Sequence, residues 1–158
     1  MELKRVSVTV ADPKGPEAAR LLAELSAELG ARYEDDGAGA FVPEDATVPR
    51  SAFLIARVED RAVGSGALVP HDPAQPHIAE IKRMYVTVDE RGKGVSTEVL
   101  RQLEARARSF GYAAVRLETG ILQPEAIHLY VKAGYTRIAK YGKHAQNPLS
   151  ACFQKTLG

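Results

Sequence analysis

The segment Arg91-Gly92-Lys93-Gly94-Val95-Ser96 has the residue types and spacing to hold a phosphate. Gly92 and Gly94 let the backbone approach an anion closely, Arg91 and Lys93 add positive charge, and an amphipathic run follows at once. A helix opening there would present unpaired N–H groups and the positive end of its dipole, which suits a diphosphate. Other nucleotide motifs fit worse. A Walker A loop needs Ser or Thr directly after its Gly-Lys, and here Gly94 follows Lys93. The pattern G-x-G-x-x-G fails because Thr97 stands at the third glycine, and the segment does not follow the first strand of a βαβ unit. The competing reading is a glycine turn with solvated basic side chains.

The elements that must position this turn are legible in the apolar spacing. Residues 3–10 alternate, with Val6, Val8 and Val10 on one side, and predict a strand that Asp12, Pro13, Gly15 and Pro16 break. Ala18, Leu21, Leu22, Leu25 and Leu29 recur at helical spacing, with Gly30 as the expected stop. Residues 34–49, with two prolines, read as a loop holding one helical turn. Strands at 52–58 and 62–69 flank a tight Glu59-Asp60-Arg61 turn, and a longer strand at 78–88 leads into the glycine turn. Val95, Val99, Leu103, Ala107 and Phe110 mark a helix ending near Gly111. A strand at 114–119 comes next, then a helix from Gln123-Pro124 whose face holds Ile127, Tyr130, Val131 and Gly134. Short strands at 136–140 and 151–156 flank the loop 141–150. Strands first antiparallel and then alternating with helices predict an α/β (α+β) fold, a mixed, mostly antiparallel sheet of about seven strands with helices on both faces.

Bulk properties narrow the class. A length of 158 residues fits a single domain, 1–158, with room for a real core. The formal charge of +1 gives no global field to recruit nucleic acid or an anionic membrane. Cys152 is the lone cysteine and cannot form an internal disulfide, which suits a reducing compartment. No stretch reads as a signal peptide or a transmembrane span, so a cytoplasmic protein is expected. His71, His77, His128 and His144 lack metal-ligand spacing, so no metal is expected.

Three motifs in order resemble the GNAT family of N-acetyltransferases, over about residues 63–155. Arg91-x-x-Gly94-x-Ser96 is similar to the family's R/Q-x-x-G-x-G/A pyrophosphate motif, with Ser96 where Gly or Ala is usual. Met84-Tyr85-Val86-Thr87-Val88-Asp89 resembles the strand whose backbone pairs with the pantetheine arm of coenzyme A. The run Gln123-Pro124-Glu125-Ala126-Ile127-x-Leu129-Tyr130-x-Lys132-x-Gly134-Tyr135 resembles N-x-x-A-x-x-L-Y-x-K-x-G-F, with Gln123 replacing Asn. The later segments also resemble a subgroup of bacterial small-molecule acetyltransferases. The resemblance implies acetyl-CoA as co-substrate, contacted by Met84, Tyr85, Val86, Arg91, Gly92, Lys93, Gly94, Val95, Ser96, Thr97 and Gln123.

Amide formation from a thioester needs a neutral amine, a donor for the tetrahedral oxyanion and a proton for the departing thiolate. The resemblance makes Glu80 the leading base: period-two alternation sets Glu80, Lys82, Met84 and Val86 on one strand face, six residues separating the first and last. The alternative is a simple solvent-side pair with Lys82. Glu118 is the rival base, with a charge pair to Arg116 as its bland alternative. Both carboxylates acting through a shared water chain is also open. Tyr130 is the acid implied by the L-Y-x-K-x-G match, against a core tyrosine bonded to backbone. A backbone N–H at Tyr85 or Val86 is the expected oxyanion donor. Cys152 reads as a small buried hydrophobe rather than a nucleophile. Lys140, Lys143 and His144 read as a solvated cluster, or as an attractor of a substrate carboxylate. Lys82, Arg116 and Lys140 lean toward an amine that also carries an anion.

The primary expectation is acetyl transfer to a small-molecule primary amine in a ternary complex, with residues 34–49 covering the site. The alternatives are a protein or peptide N-acetyltransferase and a non-catalytic CoA-binding regulatory module. A homodimer is the default oligomer.

Overall fold

A computed structural model describes residues 5–33 and 41–158; residues 34–40, and with them part of the proposed covering loop, lie outside the described residues. The order is β1 (Val6–Val10), α1 (Pro16–Tyr33), β2 (Ala52–Val58), β3 (Arg61–Asp72), β4 (Gln75–Val86), α2 (Val95–Ser109), β5 (Ala114–Gly120), α3 (Pro124–Lys132), β6 (Thr136–Ile138) and β7 (Ser150–Thr156). The strands form one seven-stranded sheet in the order β1-β2-β3-β4-β5-β7-β6. All neighbours are antiparallel except β4 and β5, which run parallel because α2 carries the chain back between them. The expected mixed sheet with helices on both faces is the observed one.

Local chemistry explains the joints. Glu59 and Asp60 both take positive φ, 51° and 65°, the left-handed pair whose twist matches a two-residue hairpin. Pro124 opens α3 at a position that needs no N–H donor. On α2, Val95, Val99, Leu103 and Ala107 form the buried stripe that spacing predicted, joined by Leu100. They pack with Leu54, Ile81, Val115 and Leu117 on one side of the sheet. Leu21 and Leu25 of α1 pack with Phe53, Ile55, Val69 and Tyr85 on the other.

Four sequence expectations need correction. Gly30 does not stop α1, which runs on to Tyr33; the tertiary contacts of Tyr33 described below outweigh the roughly 1 kcal/mol cost of an internal glycine. The long strand is Gln75–Val86 and gives way to a one-turn helix at Val88–Glu90. Val131 is exposed, so the buried face of α3 is carried by Tyr130. Most important for the site, Glu80, Lys82, Met84 and Val86 do not share one face. The β3–β4 register shifts between the Ser65–Tyr85 and Ala67–Lys82 pairs, where Arg83 takes φ 57°. This extra residue is a β-bulge, and it inverts the alternation. Ile81 and Val86 therefore pack on the α2 side, Met84 beside them, while Tyr85 packs on the α1 side. Glu80 and Lys82 alternate with Ile81 and so face α1.

Candidate active site

The phosphate turn is built as the sequence suggests, with one difference. Gly92 and Gly94 take φ 74° and 85°, a region that side chains with a Cβ enter only under strain. Gly94 is the residue before the first turn of α2, and no side chain caps that turn. Its N–H groups are thus left to an incoming anion. The basic side chains, however, are already engaged. Arg91 Nε donates to the Val86 carbonyl at 2.9 Å, and its Nη2 lies 2.8 Å from Glu28 of α1. Lys93 Nζ donates to the Asp89 carbonyl at 3.1 Å and lies 3.6 Å from Glu90, which is buried and paired with Arg61. What the turn leaves open is backbone more than free charge.

Next to this turn the sheet splits. β4 and β5 pair only from Ile78–Ala114 to Ile81–Leu117. Past that point the bulge at Arg83 carries β4 away, and a cleft of about 460 Å³ opens between the strands. Glu80, Met84, Glu118, Gln123 and Tyr130 all line it, with Leu25, Leu29 and Tyr33 of α1 on one side and Lys143, His144 and Asn147 on the other. Tyr85, Val86 and residues 91–97 are not among the lining residues; they continue from its β4 edge.

The two carboxylates face α1 and the phenol comes from α3. Glu80 is 7% exposed, too buried for a solvent-side partner of Lys82. Its Oε2 accepts the Tyr141 hydroxyl at 3.0 Å, and its Oε1 lies 3.6 Å from His71 Nδ1 and 3.8 Å from Lys82 Nζ. Glu118 accepts Ser150 Oγ at 2.7 Å and faces His144 Nδ1 at 3.7 Å. The Glu118–Arg116 pair considered above does not form. Arg116 turns instead to Gln154, His71 and Gln75 at 2.6, 3.2 and 3.3 Å.

Tyr130 is buried against Tyr135 and Phe153, ring centroids 5.9 and 6.3 Å away. Its hydroxyl points at the sulfur of Met84, 3.8 Å off, a weak acceptor. Burial first, and then the negative charge of Glu118, pushes this phenol well above its ordinary range. It holds its proton at neutral pH, as a proton donor must.

Gln123 is placed at the cleft, and its oxygen is engaged in structure. Its Oε1 accepts the Tyr33 hydroxyl at 3.2 Å and the Gly120 N–H at 3.3 Å, and Tyr33 in turn accepts the Leu122 N–H at 3.1 Å. Gly120 has no Cβ because one would collide with the Tyr33 hydroxyl. Tyr33 thereby ties the end of α1 to the β5–α3 junction. Gly120→Ala is expected to cost about 1–3 kcal/mol of stability by overpacking. In a Tyr33→Ala background the same change costs markedly less by denaturant titration; equal costs in both backgrounds would refute the tie.

Sequence reasoning missed Tyr33, His71 and Tyr141, which come from α1, from the end of β3 and from the loop before β7, with no local pattern to mark them. Cys152 is fully buried in β7, and burial raises its thiol pKa, so it is poorly disposed to act as a nucleophile. Lys140 is bonded to the Asn147 carbonyl at 2.7 Å and Arg116 is engaged as above. Of the three cations from which the lean toward an anionic acceptor is drawn, Lys82 is the one that lines the cleft, 3.8 Å from Glu80. Among the described residues no group of three or more His, Cys, Asp or Glu is arranged to hold a metal, and no helix is long and apolar enough to cross a membrane.

Comparison with known proteins decides the family. The sequence profile of the Acetyltransferase (GNAT) family matches residues 18–135, which run from α1 past the end of α3. The chain belongs to the GNAT family. It is 30% identical to an IAA acetyltransferase of Azospirillum brasilense, over 98% of this chain and 100% of that one. A crystal structure assigned as an acyl-CoA N-acyltransferase from Klebsiella pneumoniae subsp. pneumoniae MGH 78578 superimposes with a TM-score of 0.79 at 30% identity, covering 97% and 98% of the two chains. An aminoglycoside 6'-N-acetyltransferase solved with coenzyme A shares the GNAT fold at a TM-score of 0.69 and 17% identity, covering 96% and 97%. As a GNAT enzyme this chain is an acyltransferase that moves an acetyl group from acetyl-CoA to an amine.

The turn offers a direct check on cofactor binding. Replacing Gly94, at φ 85°, by valine forces a branched residue into the left-handed region. At about 1–3 kcal/mol of strain, relieved only by moving the amides, CoA affinity should fall roughly tenfold or more. Calorimetric titration with CoA reads this, and an unchanged Kd would remove the turn from the binding site.

Proposed function

We propose that this GNAT enzyme acetylates a primary amine of a small molecule by direct transfer within a ternary complex. The observation that carries the reading is the cleft, with two carboxylates facing α1 and a protonated, buried phenol from α3. The diphosphate of acetyl-CoA rests on the open amides of residues 92–97, and its thioester reaches the split between β4 and β5. The amine enters from the side of α1. Glu80 takes the amine's proton, directly or through water shared with Glu118. The amine nitrogen then bonds to the acetyl carbon, and a backbone N–H at Tyr85 or Val86 stabilises the oxyanion. As the carbon–sulfur bond breaks, Tyr130 passes its proton to the thiolate of CoA.

The enclosure of the cleft by Leu25, Leu29 and Tyr33 on one side and Lys143 and His144 on the other favours a compact acceptor over an extended peptide. The test is thiol release from acetyl-CoA across a panel of amino acids, polyamines, aminoglycosides and peptides. Turnover of the first three classes alone supports the proposal. Turnover of peptides alone points to a peptide acetyltransferase, and CoA binding without turnover of any amine to a regulatory module.

A further inference from the structure

Tyr141 has no part in the chemistry above, yet it stands at the centre of the polar cluster around Glu80. Its ring meets His71 edge-on, centroids 4.8 Å apart at 83°, and meets His144 in the same way at 5.5 Å and 83°. Two imidazoles thus grip the ring while its hydroxyl donates to Glu80 Oε2 at 3.0 Å. Burial, followed by the charge of Glu80, pushes that hydroxyl's pKa up, so it stays a donor.

The other carboxylate oxygen is addressed by His71. Arg116 Nη1 lies 3.2 Å from His71 Nε2, and a guanidinium can only donate, so Nε2 accepts and a neutral ring carries its proton on Nδ1. Nδ1 is buried without a hydrogen-bond partner and lies 3.6 Å from Glu80 Oε1. Lys82 Nζ stands 3.8 Å from the same oxygen. Phenol, imidazole and ammonium converge on the one carboxylate and hold it in one orientation. The loop between β6 and β7 that delivers Tyr141 is itself braced, since Lys140 bonds the Asn147 carbonyl and Asn147 Oδ1 accepts the Leu149 N–H at 2.9 Å.

We propose that Tyr141 is a positioning residue for the proton acceptor: its hydroxyl fixes the Glu80 carboxylate at the cleft, and the edges of His71 and His144 fix the phenol. The kinetic consequence rests on the acetyl-transfer reading, whereas the effect on Glu80 itself does not. Among the described residues the other ionisable groups around this cleft are Tyr33 from α1, Arg83 from β4, Arg116 and Glu118 from β5, Cys152 from β7 and Lys140, Lys143 and His144 from the loop, and deleting one hydroxyl alters none of them chemically.

Tyr141→Phe keeps the ring and removes the donor. With glutamate carboxyl carbons labelled with carbon-13, NMR titration follows each side chain, and the Glu80→Gln protein identifies the Glu80 signal. In Tyr141→Phe the Glu80 midpoint should rise by about one pH unit, the worth of one hydrogen bond to a charged group. An unmoved midpoint overturns the proposal. In thiol release with the best amine of the panel, the acidic limb of the rate should move up by the same amount, with the KM for acetyl-CoA unchanged. A uniform loss at every pH would reduce Tyr141 to a structural residue and also overturn the proposal. If no amine is turned over, the acetyl-transfer reading fails, and the NMR midpoint still decides the role of Tyr141.

Discussion

Glu80→Gln should lower kcat by about 10²–10⁴-fold, the usual worth of a positioned general base, while the Kd for CoA stays within twofold of wild type. The substitution is close to isosteric, and glutamine retains a carbonyl oxygen for the Tyr141 hydroxyl that now bonds Glu80 Oε2. What it removes is the ability to accept a proton. Because the amine must lose one before it attacks, the loss belongs to turnover and not to the binding of acetyl-CoA, whose proposed phosphate site at residues 92–97 is not among the residues lining the cleft. The control is Glu118→Gln. Glu118 is held by Ser150 and faces His144, so it too is fixed near the cleft. If Glu118 is the base, the larger loss moves to that variant. If the two share a water chain, each single change costs less than the whole and the double mutant is strongly non-additive. Wild-type turnover in Glu80→Gln would remove this carboxylate from the mechanism.

The sequence carried the fold well because its signals were local. Alternation in β1, the 3.6-residue stripe of α2 and the proline at the start of α3 each needed only near neighbours to be read. The glycine turn before α2 was legible for the same reason: Gly92 and Gly94 stand at positions whose backbone takes positive φ. The acidic and aromatic candidates Glu80, Glu118 and Tyr130 were likewise named from motif and spacing, and all three line one cleft.

What could not be read depended on distant strands. The bulge at Arg83 has no glycine to announce it, and it inverts the faces of Met84 and Val86 relative to Glu80. It matters because the departure of β4 from β5 opens the cleft. Nor could spacing show that Arg116 would leave Glu118 for His71, since that choice is made by the β3–β4 and β5–β7 registers. Gln123 lines the cleft, and spacing could not show that its oxygen would bond Tyr33, which is ninety positions away in the chain. Each case is of one kind, in which the fold brings a partner that local sequence does not announce.

Tyr130→Phe separates function from stability. The hydroxyl is buried and, among the described residues, its hydrogen-bond partner is the weakly accepting Met84 sulfur, so the native state gains little from it and bears its desolvation. Phenylalanine keeps the ring against Tyr135 and Phe153, and stability at neutral pH should change by no more than about 1 kcal/mol, toward greater stability if at all. Turnover should nevertheless fall about 10²-fold or more, with CoA affinity intact, because the thiolate loses its proton source. The pH dependence gives a second check with a defined sign. Burial raises the folded-state pKa of Tyr130 above the ordinary tyrosine value of about 10, so the folded state holds this proton where the unfolded chain has lost it. Below about pH 10 both states keep the proton and the ionisation contributes no pH dependence; above it the unfolded chain gains by ionising first, and stability is lost as pH rises toward the folded value. Wild type should therefore lose stability relative to Tyr130→Phe only above about pH 10, and the difference between the two should be flat below it. A variant that instead unfolds at neutral pH and binds CoA poorly would mark Tyr130 as a core residue, and the proton donor to the thiolate would have to be sought elsewhere in the cleft.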